Sequence, residues 1–252
     1  MRTPVLSAEL WTCRLGVVPY REAVALQERV RERRAAGELP DVLLLLEHPP
    51  TYTCGRRSGA AELPYGADFY AHRGIEVVAT DRGGRVTYHG PGQLVGYPIV
   101  GVRDIVAHVR TLESALVEAL GDERIEARSR APEGPDFTGV WVQERKIASI
   151  GVHVSRGIAT HGFAVNVVND LEPFSWIVPC GLAGVAMTSI ARERERLGDA
   201  REPSLSAFGG RVQEHLGEAL GVRARAVSAW ELGEAPSSRG AEQAAPRVAV
   251  HA

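Results

Sequence analysis

The sequence is nearly without lysine. Lys146 stands alone against 28 arginines in 252 residues. Nucleotide bias accounts for arginine displacing lysine wherever only a positive charge is needed, but not for the one survivor. Arginine keeps its proton and presents a planar fork, whereas a desolvated lysine can release its proton and act as a base. Lys146 is therefore a candidate for chemistry as well as for charge. Cysteine is also scarce. Cys13, Cys54 and Cys180 lie far apart with no C-x-x-C pair, which argues against a closed zinc site built from thiolates. A sparse, odd count suits free thiols in a reducing, cytoplasmic setting. Long apolar runs are missing. The run 42–46 is strand-sized, far below the roughly 20 residues of a membrane helix. The N-terminus has no basic stretch leading into an apolar one, so no secretory leader is expected. A net charge of -2 gives no global attraction to nucleic acid or to a membrane surface.

What is present reads as one catalytic domain over residues 1–232, followed by an Ala-, Pro-, Ser- and Arg-rich tail over 233–252 that is expected to be disordered. Pro19 and Gly37 bracket a first helix with Tyr20, Ala23, Leu26 and Val30 as a partial apolar stripe. Residues 42–46 read as a buried strand, and His48-Pro49-Pro50 must leave it as an extended loop. Further strands are expected at 75–80, 86–89 and 94–100, separated by Gly83-Gly84 and Gly90-Pro91-Gly92 turns. Asp104 caps a helix to about Gly121, with Ile105, Val109, Leu112, Leu116 and Leu120 on one face. Residues 140–142, 147–154 and 158–168 form a meander with Lys146 at the start of its second strand. Ser204 caps a last helix carrying Leu205, Phe208, Val212, Leu216 and Leu220. Strands outnumber helices and short turns join several of them. The fold class is α+β, a mixed, mainly antiparallel sheet flanked by helices.

Three stretches could carry chemistry. In Ile177-Val178-Pro179-Cys180-Gly181-Leu182, proline restricts the approach and glycine lets backbone N–H groups come close to a bound carbonyl, where they can stabilise an oxyanion. A thiol becomes a useful nucleophile once a neighbour favours its thiolate, although a lone cysteine is commonly a small buried apolar residue. Cys13 reads as inert, and Cys54, in a proline-containing loop, as intermediate. The stretch from Asp81 to Gln93 packs four glycines with two arginines and His89. It is either a loop that hugs a ligand or two successive hairpin turns. It contains no Walker pattern and no dinucleotide fingerprint. In the stretch beginning Lys146-Ile147-Ala148-Ser149, small side chains alternate with apolar ones. That suits a slot for an alkyl chain, and equally plain sheet packing. His89, His153 and His161 offer imidazoles, but no carboxylate spacing supports a metal, and none is expected.

At this point the blocks resemble the octanoyltransferase family, also called lipoate–protein ligase B. The resemblance lies in Arg82-Gly83-Gly84-Arg85-Val86-Thr87-Tyr88-His89-Gly90-Pro91-Gly92-Gln93, in His48-Pro49-Pro50-Thr51-Tyr52-Thr53, and in Lys146 through Gly151. It continues in Thr160-His161-Gly162-Phe163-Ala164-Val165-Asn166 and in the Pro-Cys-Gly block with Thr188-Ser189. The blocks follow the family's order over roughly residues 8–225. The resemblance implies a fold similar to lipoate and biotin protein ligase catalytic domains. It implies octanoyl transfer from octanoyl-acyl carrier protein to a lysine of a lipoyl domain, in 2-oxoacid dehydrogenase complexes or the glycine cleavage H protein, with no cofactor. Cys180 would be the acyl-thioester nucleophile and Lys146 its partner. The substrate-contacting stretches would be Arg82, Gly83, Gly84, Arg85, Val86, Thr87, Tyr88 and His89, then Ser149, Ile150 and Gly151, then Gly162, Phe163 and Ala164. Arg56, Arg57, Arg82 and Arg85 would supply a basic rim for acidic partners. Three rival readings remain: an ATP-dependent ligase of a free acid, a non-catalytic carrier-binding module, and a thioester hydrolase.

Overall fold

The computed structural model describes residues 8–178 and 185–234. In chain order the elements are β1 (Glu9–Val17), α1 (Tyr20–Ala36), β2 (Asp41–Glu47), β3 (Thr51–Cys54), α2 (Gly66–His72), β4 (Glu76–Ala79), β5 (Thr87–His89) and β6 (Gln93–Ile99). They continue with α3 (Ile105–Gly121), β7 (Arg128–Ser129), β8 (Gly139–Val142), β9 (Arg145–Ser155) and β10 (Ile158–Asn166). The last are β11 (Ala186–Met187), α4 (Ile190–Arg196), α5 (Leu205–Leu220) and β12 (Arg223–Val227). The tail beyond residue 234 lies outside the described residues.

Among the described residues, nine strands make one sheet in the order β12-β1-β2-β6-β10-β9-β8-β7, with β11 added on β9. The pairings of β1 with β12 and with β2 are parallel. Parallel neighbours need a crossover, and α1 supplies it between β1 and β2. From β2 through β6, β10, β9 and β8 to β7 the pairings are antiparallel. The sheet is therefore mixed and mainly antiparallel, as the turn spacing implies. A second sheet, β4-β3-β5, stands apart from it.

The apolar run in β2 shows why the large sheet is buried on both faces. Leu43 and Leu45 enter a cluster with Leu112 and Leu116 of α3 and Phe208, Val212 and Leu216 of α5. Val42, Leu44 and Leu46 enter the opposite cluster with Ala23, Leu26 and Val30 of α1. Alternation sends successive side chains to opposite faces, and each fully buried leucine contributes about 2 kcal/mol. A third cluster, with Tyr52, Tyr70, Tyr88 and Phe174, fills the space under the small sheet.

The helix ends follow the expected chemistry. Gly37 takes φ 78° at the end of α1, Asp104 accepts from the N–H groups of Val106 and Ala107, and Ser204 accepts from Ala207. The expected face of α3 needs one correction. Ile105 is 46% exposed and Val106 60% exposed, because the first turn overhangs the sheet instead of packing on it. The core-facing stripe is Leu112, Ala115, Leu116, Ala119 and Leu120, with His108 and Glu113 buried beside it. The meander β8-β9-β10 forms as expected, and Lys146 is the second residue of β9. No helix among the described residues is long and apolar enough to cross a membrane.

Candidate functional site

A cavity of about 310 Å³ opens between β9 and β10 on one side and the first turns of α3 on the other. The loop entering β5 gives it Arg82, Gly83, Gly84 and Arg85, and β5 itself gives Thr87 and His89. β9 contributes Lys146, Ser149, Ile150 and Gly151, and β10 contributes Gly162, Phe163 and Ala164. Val86 and Tyr88 do not line it. Alternation along the strand turns their side chains into the cluster under the small sheet, unlike those of the other residues expected to contact substrate.

The glycine loop crosses β9 at peptide-to-peptide distance. The N–H of Gly83 donates to the carbonyl of Val152 at 2.9 Å. A Cβ on Gly151 would stand 2.8 Å from the Gly83 carbonyl oxygen, so a side chain there would push the loop away. Arg82 fixes the loop from below and does not belong to an exposed rim. It is buried, its Nη2 donates to the Thr53 carbonyl at 2.6 Å and to the Arg85 carbonyl at 2.8 Å, and its Nε donates to the Thr53 hydroxyl at 3.2 Å. The expected basic rim is weaker still. Arg85 pairs with Glu62 at 2.7 Å and Arg57 with Asp136 at 3.1 Å.

Three neutral histidines stand at the cavity, His89 and His161 in its wall and His48 packed behind His89. His48 donates from Nδ1 to the Val18 carbonyl and accepts the Tyr97 hydroxyl at Nε2, both at 2.6 Å, and burial pushes its pKa down to about 4. His89 donates from Nδ1 to Gln93 at 2.8 Å, and burial holds its pKa well below the ordinary value. Burial also lowers that of His161, which bonds to Asp81 at 2.8 Å. Asp81 also faces His153 at 3.5 Å. Among the described residues no group of three or more His, Cys, Asp or Glu side chains is arranged to hold a metal ion.

Lys146 is 1% exposed. Its position follows from an irregularity in the sheet. Val140 pairs with Ala148 and Trp141 with Lys146, which leaves Ile147 as an extra residue between them; such bulges re-aim the neighbouring side chain. The ammonium stands 5.3 Å from the centre of the Trp141 ring, within cation–π range. The buried carboxylate of Glu113 holds the backbone beside it, accepting the Gly139 N–H at 2.9 Å and the Ser129 hydroxyl at 2.7 Å.

Cys180 lies outside the described residues, but the chain on either side of its block is fixed. The N–H of Val178 donates to the Glu62 carbonyl at 3.0 Å. On the far side Met187 pairs with Lys146 in parallel register, and the Thr188 N–H donates to the Lys146 carbonyl at 3.0 Å. The other two thiols stand away from the cavity wall. Burial pushes Cys13 up to about 11 and raises Cys54 above the ordinary thiol value, which favours the thiol over the thiolate at both.

Sequence reasoning did not find several wall residues: Tyr20 from α1, Tyr97 from β6, and Ile105, Val106, Val109 and Arg110 from α3. The only available signal was the apolar first turn of α3, which reads the same whether it faces a core or a cavity.

Residues 19–217 match the sequence model of the family described as lipoyl protein ligase A/B catalytic domain. The octanoyltransferase of Solibacter usitatus is 52% identical over 172 residues, which span 67% of this chain and 76% of that protein. The octanoyltransferase of Caldicellulosiruptor saccharolyticus is 41% identical over 231 residues, spanning 90% of this chain and 95% of that protein. Among solved structures, lipoate-protein ligase A bound with ATP is similar with a TM-score of 0.66 at 19% identity, covering 86% of this chain and 88% of that one. A bi-partite lipoate protein ligase from Thermoplasma acidophilum is similar with a TM-score of 0.64 at 18% identity, covering 89% and 88%. These two likenesses show a shared fold.

Proposed function

The chain belongs to the lipoyl protein ligase A/B catalytic domain family and is an acyltransferase, and we propose that it transfers an octanoyl group in protein lipoylation. The donor is octanoyl-acyl carrier protein. The acceptor is a lysine of a lipoyl domain, in 2-oxoacid dehydrogenase complexes or the glycine cleavage H protein. The enzyme works in the cytoplasm as a single catalytic domain over residues 1–232.

The observation that carries this reading is the burial of the sole lysine in the wall of an acyl-sized cavity, beside the strand that follows the Pro-Cys-Gly block. The Cys180 thiolate attacks the donor carbonyl, and the C–S bond to the carrier breaks as the new C–S bond forms. The carrier leaves as a thiolate and takes the proton held by Lys146, which leaves the lysine as a neutral amine. The acceptor amine then attacks the Cys180 thioester, the amide forms, and Cys180 departs as thiolate. Lys146, left as a neutral amine by the first step, accepts the surplus proton of the attacking nitrogen, which restores the starting pair of thiolate and ammonium, a role closed to arginine. Splitting one transfer into two thiol-to-acyl steps is the advantage of the covalent route. The acyl chain lies along the aliphatic wall of Ile105, Val106, Val109 and Ile150, with its carbonyl end toward the peptide groups of Gly83, Gly84 and Gly151.

Incubation with octanoyl-acyl carrier protein should add one octanoyl mass to the peptide containing Cys180. An adduct mapped to Cys54, or none under quenching, overturns the covalent route. The ATP-dependent ligase reading draws support from the ATP-bound neighbour. Here, however, Arg82 and Arg85 are committed to Thr53 and Glu62, which leaves them ill placed to meet a nucleotide. Undiminished transfer with ATP omitted separates the two.

A further inference from the structure

β10 carries one residue that a regular strand would not. His161 has φ +55°, in the left-handed region that residues with a Cβ rarely adopt. The register places it at a break in the ladder. Phe163 pairs with Gly96, and the Ala159 N–H donates to the Val100 carbonyl. His161 therefore falls level with Pro98, which has no N–H to donate to the His161 carbonyl, so the regular ladder is interrupted at this pair. The His161 N–H leaves the ladder and donates to Oε1 of the buried Gln27 of α1 at 2.7 Å. Backbone strain of this kind persists only where the surroundings fix it, and it concentrates at functional sites.

The ring is as constrained as the backbone. Nε2 bonds to Oδ1 of Asp81 at 2.8 Å, and an ionised carboxylate only accepts, so Nε2 carries the hydrogen. In the neutral imidazole Nδ1 is then a bare acceptor. Nδ1 is buried and has no hydrogen-bond partner among the described residues. The residue is 3% exposed and stands in the cavity wall, edge-on to Tyr97 with ring centres 6.1 Å apart. A buried acceptor left unmatched, on a strained backbone, in the wall of a substrate cavity, has the character of a group reserved for a ligand.

We propose that His161 is a further substrate-contacting residue whose Nδ1 accepts a hydrogen bond from a substrate N–H, with Asp81 fixing the tautomer. The donor group is either the incoming amine of the acceptor or an amide of the arm that carries the donor thioester. This rests on reading the cavity as the acyl-transfer site.

Two substitutions separate this role from a merely structural one. His161→Asn places a carboxamide oxygen where Nδ1 stands and tolerates positive φ, but gives up Asp81. His161→Gln reaches Asp81 with its amide N–H but leaves no acceptor at the Nδ1 position. With both variants shown folded by thermal melting, Asn should keep transfer within about 3-fold, and Gln should lose about 10- to 100-fold, the range of one lost hydrogen bond to a buried group. The reverse order, equal losses, or no loss in Gln overturns the proposal. The half-reactions identify the source of the N–H. A loss in enzyme acylation by octanoyl-pantetheine, absent with S-ethyl octanethioate, assigns the amide. A loss in transfer from acyl-enzyme to a lysine amine assigns the acceptor. A nitrogen-15 NMR readout is independent of turnover: in Cys180→Ala, saturation with octanoyl-pantetheine or lysine methylamide should shift the Nδ1 signal. If the signal moves while the wild type transfers nothing, the transferase reading fails and this contact stands. If transfer proceeds and neither probe moves the signal, the contact fails alone.

Discussion

Gly139 is the floor on which Lys146 rests. A Cβ at Gly139 would stand 2.8 Å from Cε and 3.4 Å from Nζ of Lys146, and 2.4 Å from the Ala148 carbonyl oxygen. Gly139 also has φ +130°, which side chains rarely adopt. Gly139→Ala should therefore displace the ammonium from the Trp141 ring before it unfolds the domain. The expected outcome is a transfer rate down by about 10²-fold or more, from loss of the positioned base, with a melting temperature lowered by several degrees. Transfer at the wild-type rate in a folded Gly139→Ala protein would show that the position of the ammonium is not critical.

Lys146→Arg tests the base and the charge separately. Arginine keeps a cation beside Trp141 but cannot exchange protons near neutrality. The variant should fold and should transfer about 10²- to 10⁴-fold more slowly, with the second half-reaction the more affected. Single-turnover kinetics from acyl-carrier protein to acyl-enzyme, and from acyl-enzyme to amine, measure the two steps. Near-normal rates in both would reduce Lys146 to a source of charge.

Much of this arrangement is legible in the sequence, and the rest is hidden for identifiable reasons. Asp104, Ser204 and Gly37 announce their helix ends because capping is local. Lys146 is conspicuous because its residue type is otherwise missing. Tyr20, Tyr97 and Val109 go unread because they reach the cavity from α1, β6 and α3, and nothing in their local pattern separates a cavity wall from a core face. Tyr88 and Val86 are the opposite case. The resemblance covers the whole stretch around them, but alternation in β5 sends Thr87 and His89 to the cavity and Tyr88 to the packing beneath. Arg82 looks like a rim residue until Thr53, 29 positions away, takes its guanidinium. Pro98 marks in the sequence where the ladder beside His161 loses a donor, but only the strand register shows that the two are level.

The wall from α3 should set chain-length preference. Val109 lines the cavity and is partly buried against the main core. Truncation to alanine opens room along the alkyl path, and enlargement to phenylalanine closes it. Each methylene gained or lost from burial is worth about 0.8 kcal/mol, roughly a 4-fold change in relative kcat/KM. Val109→Ala should shift preference from octanoyl toward decanoyl and dodecanoyl donors, and Val109→Phe toward hexanoyl. Competition among acyl-carrier proteins of mixed chain length, read by intact mass of the acyl-enzyme, measures the shift. An unchanged ranking in both variants would place the alkyl chain elsewhere in the cavity.

Stability should fall as the solution is acidified, from a cause distinct from the carboxylates. His48 and His108 are both pushed by burial to about 4, while an unfolded histidine titrates near 6.5. Between those values the unfolded chain binds more protons than the native one, so unfolding free energy rises with pH across the window. Below about pH 6.5 each histidine progressively removes stability, up to about 3 kcal/mol by pH 4; above it the contribution is fully present. The urea midpoint should therefore be flat from pH 7 to 8 and should drop steeply from 6.5 to 4.5. His108 allows the effect to be isolated, because its Nε2 has no hydrogen-bond partner among the described residues and it stands outside the cavity wall. His108→Gln should flatten the slope by close to one proton while leaving acyl transfer at pH 7.5 unchanged. A midpoint that tracks the wild type at every pH would mean that His108 titrates alike in the folded and unfolded chains.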